Sequence, residues 1–300
     1  MQNREDKLSE QYPAIKFRKL VLIGVGLIGG SLALDLKRAG LVDEVVGIDV
    51  DTENLTRAME RRVIDDFSLQ INADSICGAD MIIIATPVNT LPDICRRLVP
   101  YIGEQTIISD VGSTKQSALQ AFASELPEHF SHCVAAHPIA GSDRHGALAA
   151  QFGLFAQKKC IICKHDQQDV VALRTVVGMW QAVQANIYWL DAARHDEIFA
   201  AVSHLPHMLA YAYIHQLASC ADAHELLSFA GSGFRDFSRI AASHPQIWTD
   251  ICMSNREALI KLLQQQQQEI ACLQRYLQQA DATALADFFD KAHQIRVNWQ

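Results

Sequence analysis

Three short segments of this 300-residue chain concentrate histidine, serine and arginine. The first is His137-Pro-Ile-Ala-Gly-Ser-Asp143. The second is Ser203-His204-Leu-Pro-His207. The third is Gly233-Phe-Arg235-Asp236-Phe-Ser-Arg239. An imidazole titrates near neutrality, so His137 is a candidate base for a hydroxyl proton. Arg239 offers a planar fork that matches a carboxylate, and Arg235, four residues earlier and so on the same helix face, competes for that role. His204 and His207 are three residues apart and can point to one side of a helix. Each has a plain structural alternative: a histidine in the turn before Pro138, a surface arginine, a hydrogen-bonded core histidine. Trp248 reads equally as a pocket wall or a core indole. Hydride transfer from an alcohol needs a base, an anion clamp and a water-poor pocket, and these segments supply candidates for all three. A zinc site built on these histidines with His195 lacks the Cys or Glu that would complete a familiar ligand pattern, so no metal is expected.

A fourth segment, Gly24-Val25-Gly26-Leu27-Ile28-Gly29, follows an apolar strand-like run and opens a helical one. In that setting the first glycine permits the tight turn. The second lets backbone approach a pyrophosphate, and the third lets helix and strand pack closely. Asp49 ends the second strand-like run, 25 residues after Gly24, about where an acid meets the ribose hydroxyls of a dinucleotide. Its charge opposes a 2′-phosphate and no Arg follows it, so NAD⁺ is expected over NADP⁺; Asp51 is close enough to share the role. Thr86 and Pro87 end the third clear strand and are placed beside the cofactor, because ligands of open α/β sheets lie at the carboxyl ends of strands. Ser113, in Asp110-Val-Gly-Ser-Thr-Lys115, is either a hydrogen-bond donor at that edge or a helix N-cap.

The elements that must position these residues fall into two halves. Apolar runs at 19–24, 44–49, 80–86, 106–111, 132–137 and 160–164 alternate with helical stretches at 28–39, 52–61, 90–98 and 115–126, the pattern of βαβ units around a parallel sheet. From about Asp191 the strands stop, and helical patterns cover 192–219, 222–230, 246–278 and 282–294. Leu263, Ile270, Leu273 and Leu277 align on one helix face. Long helices of this kind commonly pack against a second copy, so a homodimer is expected.

Composition narrows the partners. Net charge is −8, which disfavours nucleic acid and anionic membranes. No apolar run reaches membrane-spanning length, and the polar N-terminus has no signal-peptide core, so a cytoplasmic protein is expected. The eight cysteines sit mostly in apolar stretches, as reduced core thiols do. Cys160-Ile-Ile-Cys163 reads as a buried strand rather than a redox or metal pair.

Six motifs in order resemble the prephenate dehydrogenases, a family that includes arogenate and cyclohexadienyl dehydrogenases. They are GVGLIGGS (24–31), ATP (85–87), DVGSTK (110–115), HPIAGS (137–142), SHLPH (203–207) and GFRDFSRIAASHPQIW (233–248). The resemblance implies an NAD-binding Rossmann domain over 1–190 and a helical dimerisation domain over 191–300. It implies NAD-dependent oxidative decarboxylation of prephenate to 4-hydroxyphenylpyruvate, or of arogenate to tyrosine. His137 matches the catalytic histidine, Ser113 a serine that hydrogen-bonds the hydroxyl or that histidine, Arg239 the carboxylate-binding arginine, and His207 a substrate-site histidine. His204, Trp248 and Asp143 fall within the same pocket motifs; some family members carry Glu at the position of Asp143. Two other readings compete. A β-hydroxyacid-type dehydrogenase would rely on a lysine in its helical domain, but the only lysine between 165 and 290 is Lys261, outside any motif. A non-enzymatic NAD(H) sensor would want a basic docking element, which the acidic balance does not offer.

Overall fold

A computed structural model describes residues 15–141 and 146–299. The first part alternates β1 (Phe17–Ile23), α1 (Leu27–Arg38), β2 (Val42–Ile48), α2 (Thr52–Glu60), β3 (Asp66–Ser68), α3 (Ala73–Ile76), β4 (Met81–Ile84), α4 (Leu91–Leu98), β5 (Ile107–Asp110), α5 (Gln116–Glu125), β6 (Cys133–Pro138), β7 (Lys159–Cys163), α6 (Val170–Ala182) and β8 (Asn186–Trp189). The strands form one sheet in the order β3-β2-β1-β4-β5-β6-β7-β8. The strand order reverses between β1 and β4, which is where such sheets bind dinucleotides.

All six strands read from the sequence are present, but the sheet is not wholly parallel. β7 runs antiparallel to β6, and β8 then pairs parallel with β7. Successive side chains of a strand feed opposite faces. Leu20 and Leu22 thus enter one apolar core, while Val21 and Ile23 enter the other. Burial on both faces is why these strands are continuous Val/Ile/Leu runs rather than alternating ones. Cys160 and Cys163 go to different cores and are free thiols, so the CxxC pair is a strand feature.

After β8 the chain is helical: α7 (Ala192–Phe199), α8 (Leu205–Ala218), α9 (Ala223–Ser228), α10 (Ser232–Ser238), α11 (Pro245–Ser254), α12 (Arg256–Gln278) and α13 (Ala282–Asn298). Two of the expected continuous helices are interrupted. The 192–219 stretch contains a π-helical turn over Ala200–His204, a distortion often found at functional sites. The 246–278 stretch breaks at Asn255, whose buried side chain serves other groups instead of a helix face. Arg235 lies in α10, whereas Arg239 opens a 3₁₀ turn, Arg239–Ala242; they do not share one helix. Among the described residues no helix is long and apolar enough to cross a membrane.

Candidate active site

The glycine turn closes the gap between β1 and β4. Gly24 has φ +91°, and a Cβ there would stand 2.6 Å from the Ala85 carbonyl oxygen; only glycine lets the two strand ends approach this closely. A Cβ on Gly29 would meet Leu22 Cδ1 at 2.6 Å. Gly26 caps α1, which has no side-chain cap and no acid in its first turn. The first backbone N–H groups of α1 and its positive dipole end therefore face an open space, with nothing within 4 Å of the Gly26 Cβ position.

Asp49 Oδ2 accepts from Val25 N at 3.0 Å and from Asn54 Nδ2 at 3.3 Å, which locks the acid against the turn. Asp51 is committed elsewhere: its carboxylate caps α2 by accepting from Glu53 N and Asn54 N. Thr86 is half-buried and accepts a 2.7 Å bond from Thr90 Oγ1, with exposed Pro87 beside it. This arrangement fits a dinucleotide: a Cβ-free turn, free amides at a helix start, and an acid without an adjacent cation.

His137 stands at the end of β6, half-buried, on the same edge of the sheet. Its Nδ1 is 2.8 Å from His195 Nε2, and His195 Nδ1 is 2.7 Å from Asp196 Oδ1. A carboxylate only accepts, so His195 Nδ1 carries a proton. With His195 neutral, its Nε2 is an acceptor and His137 Nδ1 must donate to it. The Nε2 of His137 is then left bare, as a base requires. Phe199 packs on both rings, with centroids at 4.8 and 4.5 Å.

Asp196 is fixed from the other side. Its carboxylate accepts from Lys115 N at 2.7 Å and Gln116 N at 3.0 Å, so a residue of α7 caps α5, and Ser113 is not that cap. These bonds, chiefly that from His195, hold its carboxyl below the usual range against a burial that would raise it. The fully buried Lys115 ammonium pairs with Asp110 and donates to the Ala136 carbonyl at 2.7 Å. Asp110 Oδ1 in turn accepts from Ala136 N at 3.3 Å, so the residue preceding His137 is held through both its N–H and its carbonyl. Burial, reinforced by His195, Lys115 and His204, pushes the His137 imidazole well below its ordinary pKa. Burial also lowers His195, against the opposing bond to Asp196.

The helical side contributes a wall. The π turn buries His204, whose Nδ1 lies 3.2 Å from Asn255 Nδ2; that same amide donates to the Asp196 carbonyl at 2.8 Å. An amide nitrogen only donates, so His204 carries its proton on Nε2. This Nε2 is buried and has no hydrogen-bond partner among the described residues. Burial lowers the His204 pKa to about 4. His207 Nδ1 donates to the Ser203 carbonyl at 2.8 Å, and its ring stacks on Trp248 at 3.6 Å. Burial lowers its pKa, with a further contribution from the nearby charge of Arg239. Arg239 is exposed and forms no ion pair among the described residues.

Asn89, on the turn after Pro87, donates to Asp250 at 2.9 Å and accepts from Ser254 at 2.9 Å. The cofactor-side loop is thereby tied to α11, which carries Trp248. The structure thus brings His137, His204, His207 and Trp248 around one seam between sheet and helices. Ser113 is half-buried on the loop before α5, and Asp143 lies outside the described residues. No cluster able to hold a metal is present among the described residues.

His195, Asp196 and Asn255 are the residues that sequence reasoning did not assign to the site. His195 and Asp196 are neighbours in an otherwise charged stretch, Ala-Arg-His-Asp-Glu. The available signal was that an adjacent His–Asp pair at the start of a helix can face inward.

A dinucleotide-binding sheet with its glycine turn at the switch point, joined through a buried histidine cluster to a helical domain, defines a nucleotide-dependent dehydrogenase class. Residues 32–189 match the family model described as prephenate dehydrogenase, nucleotide-binding domain, and residues 191–291 match prephenate dehydrogenase, dimerization domain. The chain is 32% identical to a prephenate dehydrogenase of Bacillus subtilis, over 92% of this chain and 75% of that one. It is 28% identical to a cyclohexadienyl dehydrogenase of Zymomonas mobilis, over 94% and 96%. A crystal structure of prephenate dehydrogenase from A. aeolicus, in complex with hydroxyphenyl propionate and NAD⁺, superposes with a TM-score of 0.88 at 27% identity, covering 95% of this chain and 99% of that one. The chain belongs to the prephenate dehydrogenase family.

Proposed function

We propose that this protein catalyses the NAD⁺-dependent oxidative decarboxylation of prephenate to 4-hydroxyphenylpyruvate in tyrosine biosynthesis, with arogenate as the alternative substrate. The observation that carries this reading is the hydrogen-bond chain that leaves His137 neutral with a bare Nε2 at the cofactor edge of the sheet. His137 accepts the ring-hydroxyl proton, and Ser113 donates to that hydroxyl or to the imidazole. Arg239 binds a substrate carboxylate in bidentate fashion. His207, held flat on Trp248, and the free Nε2–H of His204 complete the polar wall, and Asp143 borders the pocket. Loss of CO₂ makes the ring aromatic, so the protein's task is to polarise the hydroxyl, hold two carboxylates and exclude water.

NAD⁺, when bound, accepts the hydride released from the hydroxyl-bearing carbon. Gly24, Gly26, Leu27, Ile28 and Gly29 cradle its pyrophosphate, Asp49 binds the ribose hydroxyls, and Thr86 and Pro87 border the nicotinamide side. The working units are residues 1–190, for the cofactor, and 191–300, for dimerisation and substrate. The active species is a cytoplasmic homodimer, a reading supported by the matched dimerization-domain model and by apolar side chains left bare on the helices. The test is direct: purified protein with NAD⁺ and prephenate should generate NADH, followed by absorbance. Absence of NADH with both prephenate and arogenate would overturn the proposal.

A further inference from the structure

We propose that His195 and Asp196 form the second stage of a two-histidine proton relay, so that the positive charge created by catalysis comes to rest on His195 rather than on His137. This rests on the reading of His137 as the base. The step balances within the chain. An N–H bond forms at His137 Nε2 with the substrate's proton. The N–H bond at His137 Nδ1 breaks as its proton crosses the 2.8 Å contact to His195 Nε2. His195 then holds two protons and keeps its Nδ1–H on Asp196, which stays ionised. No electrons move in the relay; they leave the substrate as hydride to NAD⁺. The relay resets when His195 returns its proton through His137 after product departs.

Charge argues for this endpoint. Lys115 and Asp110 are buried against each other and cancel. Asp196 is 1% exposed, and among the described residues its carboxylate contacts, apart from neutral His195, only amide groups, the backbone N–H of Lys115 and Gln116 and the Gln116 side chain. The resting cluster thus holds one uncompensated negative charge, which a single proton neutralises. That proton is better placed on the ring touching the carboxylate than on a ring one step further away and nearer the substrate. Asp196 cannot rotate away, because the two backbone amides hold its carboxylate. Phe199 covers both imidazoles, which favours transfer along the chain over loss to water.

Two measurements test the relay. In ¹⁵N-histidine-labelled protein, His137 and His195 should both be protonated at Nδ1, the tautomer disfavoured in free histidine; protonation of His137 at Nε2 would overturn the proposal without any assay of turnover. In His195→Gln, the amide oxygen still accepts from His137 but cannot take a proton. Its kcat should fall about 100-fold, as for loss of an acid–base partner, with NAD⁺ affinity, melting temperature and KM near those of the parent. A kcat within about threefold of the parent would overturn the relay. Should His195→Gln fail to fold, the tautomer measurement on the parent decides alone. Should the parent form no NADH from prephenate or arogenate, the proposed function fails, while the tautomers still report whether the chain is wired as described.

Discussion

The sheet carries two continuous apolar cores, one on each face, and its functional polar groups are locked by two or three partners each. The helices after His204 differ on both counts. Among their described apolar side chains only Ala210, Ile251 and Leu259 are buried, while Phe229, Leu277 and Ile295 are 83%, 67% and 75% exposed. Two polar groups on this side lack a partner among the described residues: the exposed Arg239 guanidinium, and the buried His204 Nε2 at its boundary. The base side is complete in one copy of the chain. The substrate side is the part proposed to be completed by a ligand and by a second copy.

The largest effect should come from breaking the complete side. His137→Asn keeps a hydrogen-bonding group on β6 but removes the proposed base. The expected loss in kcat is about 10³-fold, with NAD⁺ binding close to that of the parent by fluorescence titration. Equal loss of binding and turnover would show that His137 holds structure, and that the two sides are less separate than the geometry indicates.

On the incomplete side, the exposed stripe of α12 should be the next most sensitive. Ile270→Asp and Leu277→Asp place charges where a second copy is proposed to pack. Burying such side chains contributes about 2 kcal/mol each, and two-fold symmetry counts each twice. The dimer Kd should rise about 10³-fold for either variant, read by light scattering across protein concentrations. A variant that remains dimeric would move the interface off this face.

Arg239→Ala should act through binding instead of chemistry. Losing a charge-assisted bond to a carboxylate costs roughly 2–3 kcal/mol, so KM for prephenate should rise about 100-fold. KM for NAD⁺ should barely move. A matching fall in kcat with unchanged KM would place Arg239 on the reacting side of the comparison.

The same contrast explains what could be read in advance. Strands β1, β2, β4, β5, β6 and β7 announce themselves because two-sided burial demands unbroken apolar runs. β3 (Asp-Phe-Ser) and β8 (Asn-Ile-Tyr-Trp) are the two edge strands, three and four residues long and largely exposed, too short to show a pattern. The glycine turn is legible because only glycine fits the conformation and close strand approach at Gly24, and His137 is singled out by type as a candidate base at the end of β6. His195, Asp196 and Asn255 are not, because their roles arise from tertiary contacts between elements far apart in sequence. The break at Asn255 carries no Gly or Pro; the π turn over Ala200–His204 does carry a local signal, Pro206, which has no N–H to donate to the Val202 carbonyl one turn back. Arg235 and Arg239 show the converse error, since spacing implied one helix face where the helix in fact ends at Ser238.

The smallest predicted effect concerns protons. His204 is held neutral by burial, with its pKa near 4 in the folded chain against an ordinary 6.5. Between those values the unfolded chain binds the proton and the folded chain does not. Stability is therefore full above about pH 6.5 and declines as pH falls through that window. One such group contributes a slope of about 1.4 kcal/mol per pH unit; His137 and His195 shift in the same direction and steepen it. His204→Gln should remove one proton's worth of that slope when melting temperature is followed from about pH 7 to about pH 5, while lowering stability at neutral pH through the lost contact with Asn255. An unchanged slope would mean that His204 is already solvated in the folded chain. The orphaned Nε2 donor would then be water-bound, and the substrate side less dry than its burial indicates.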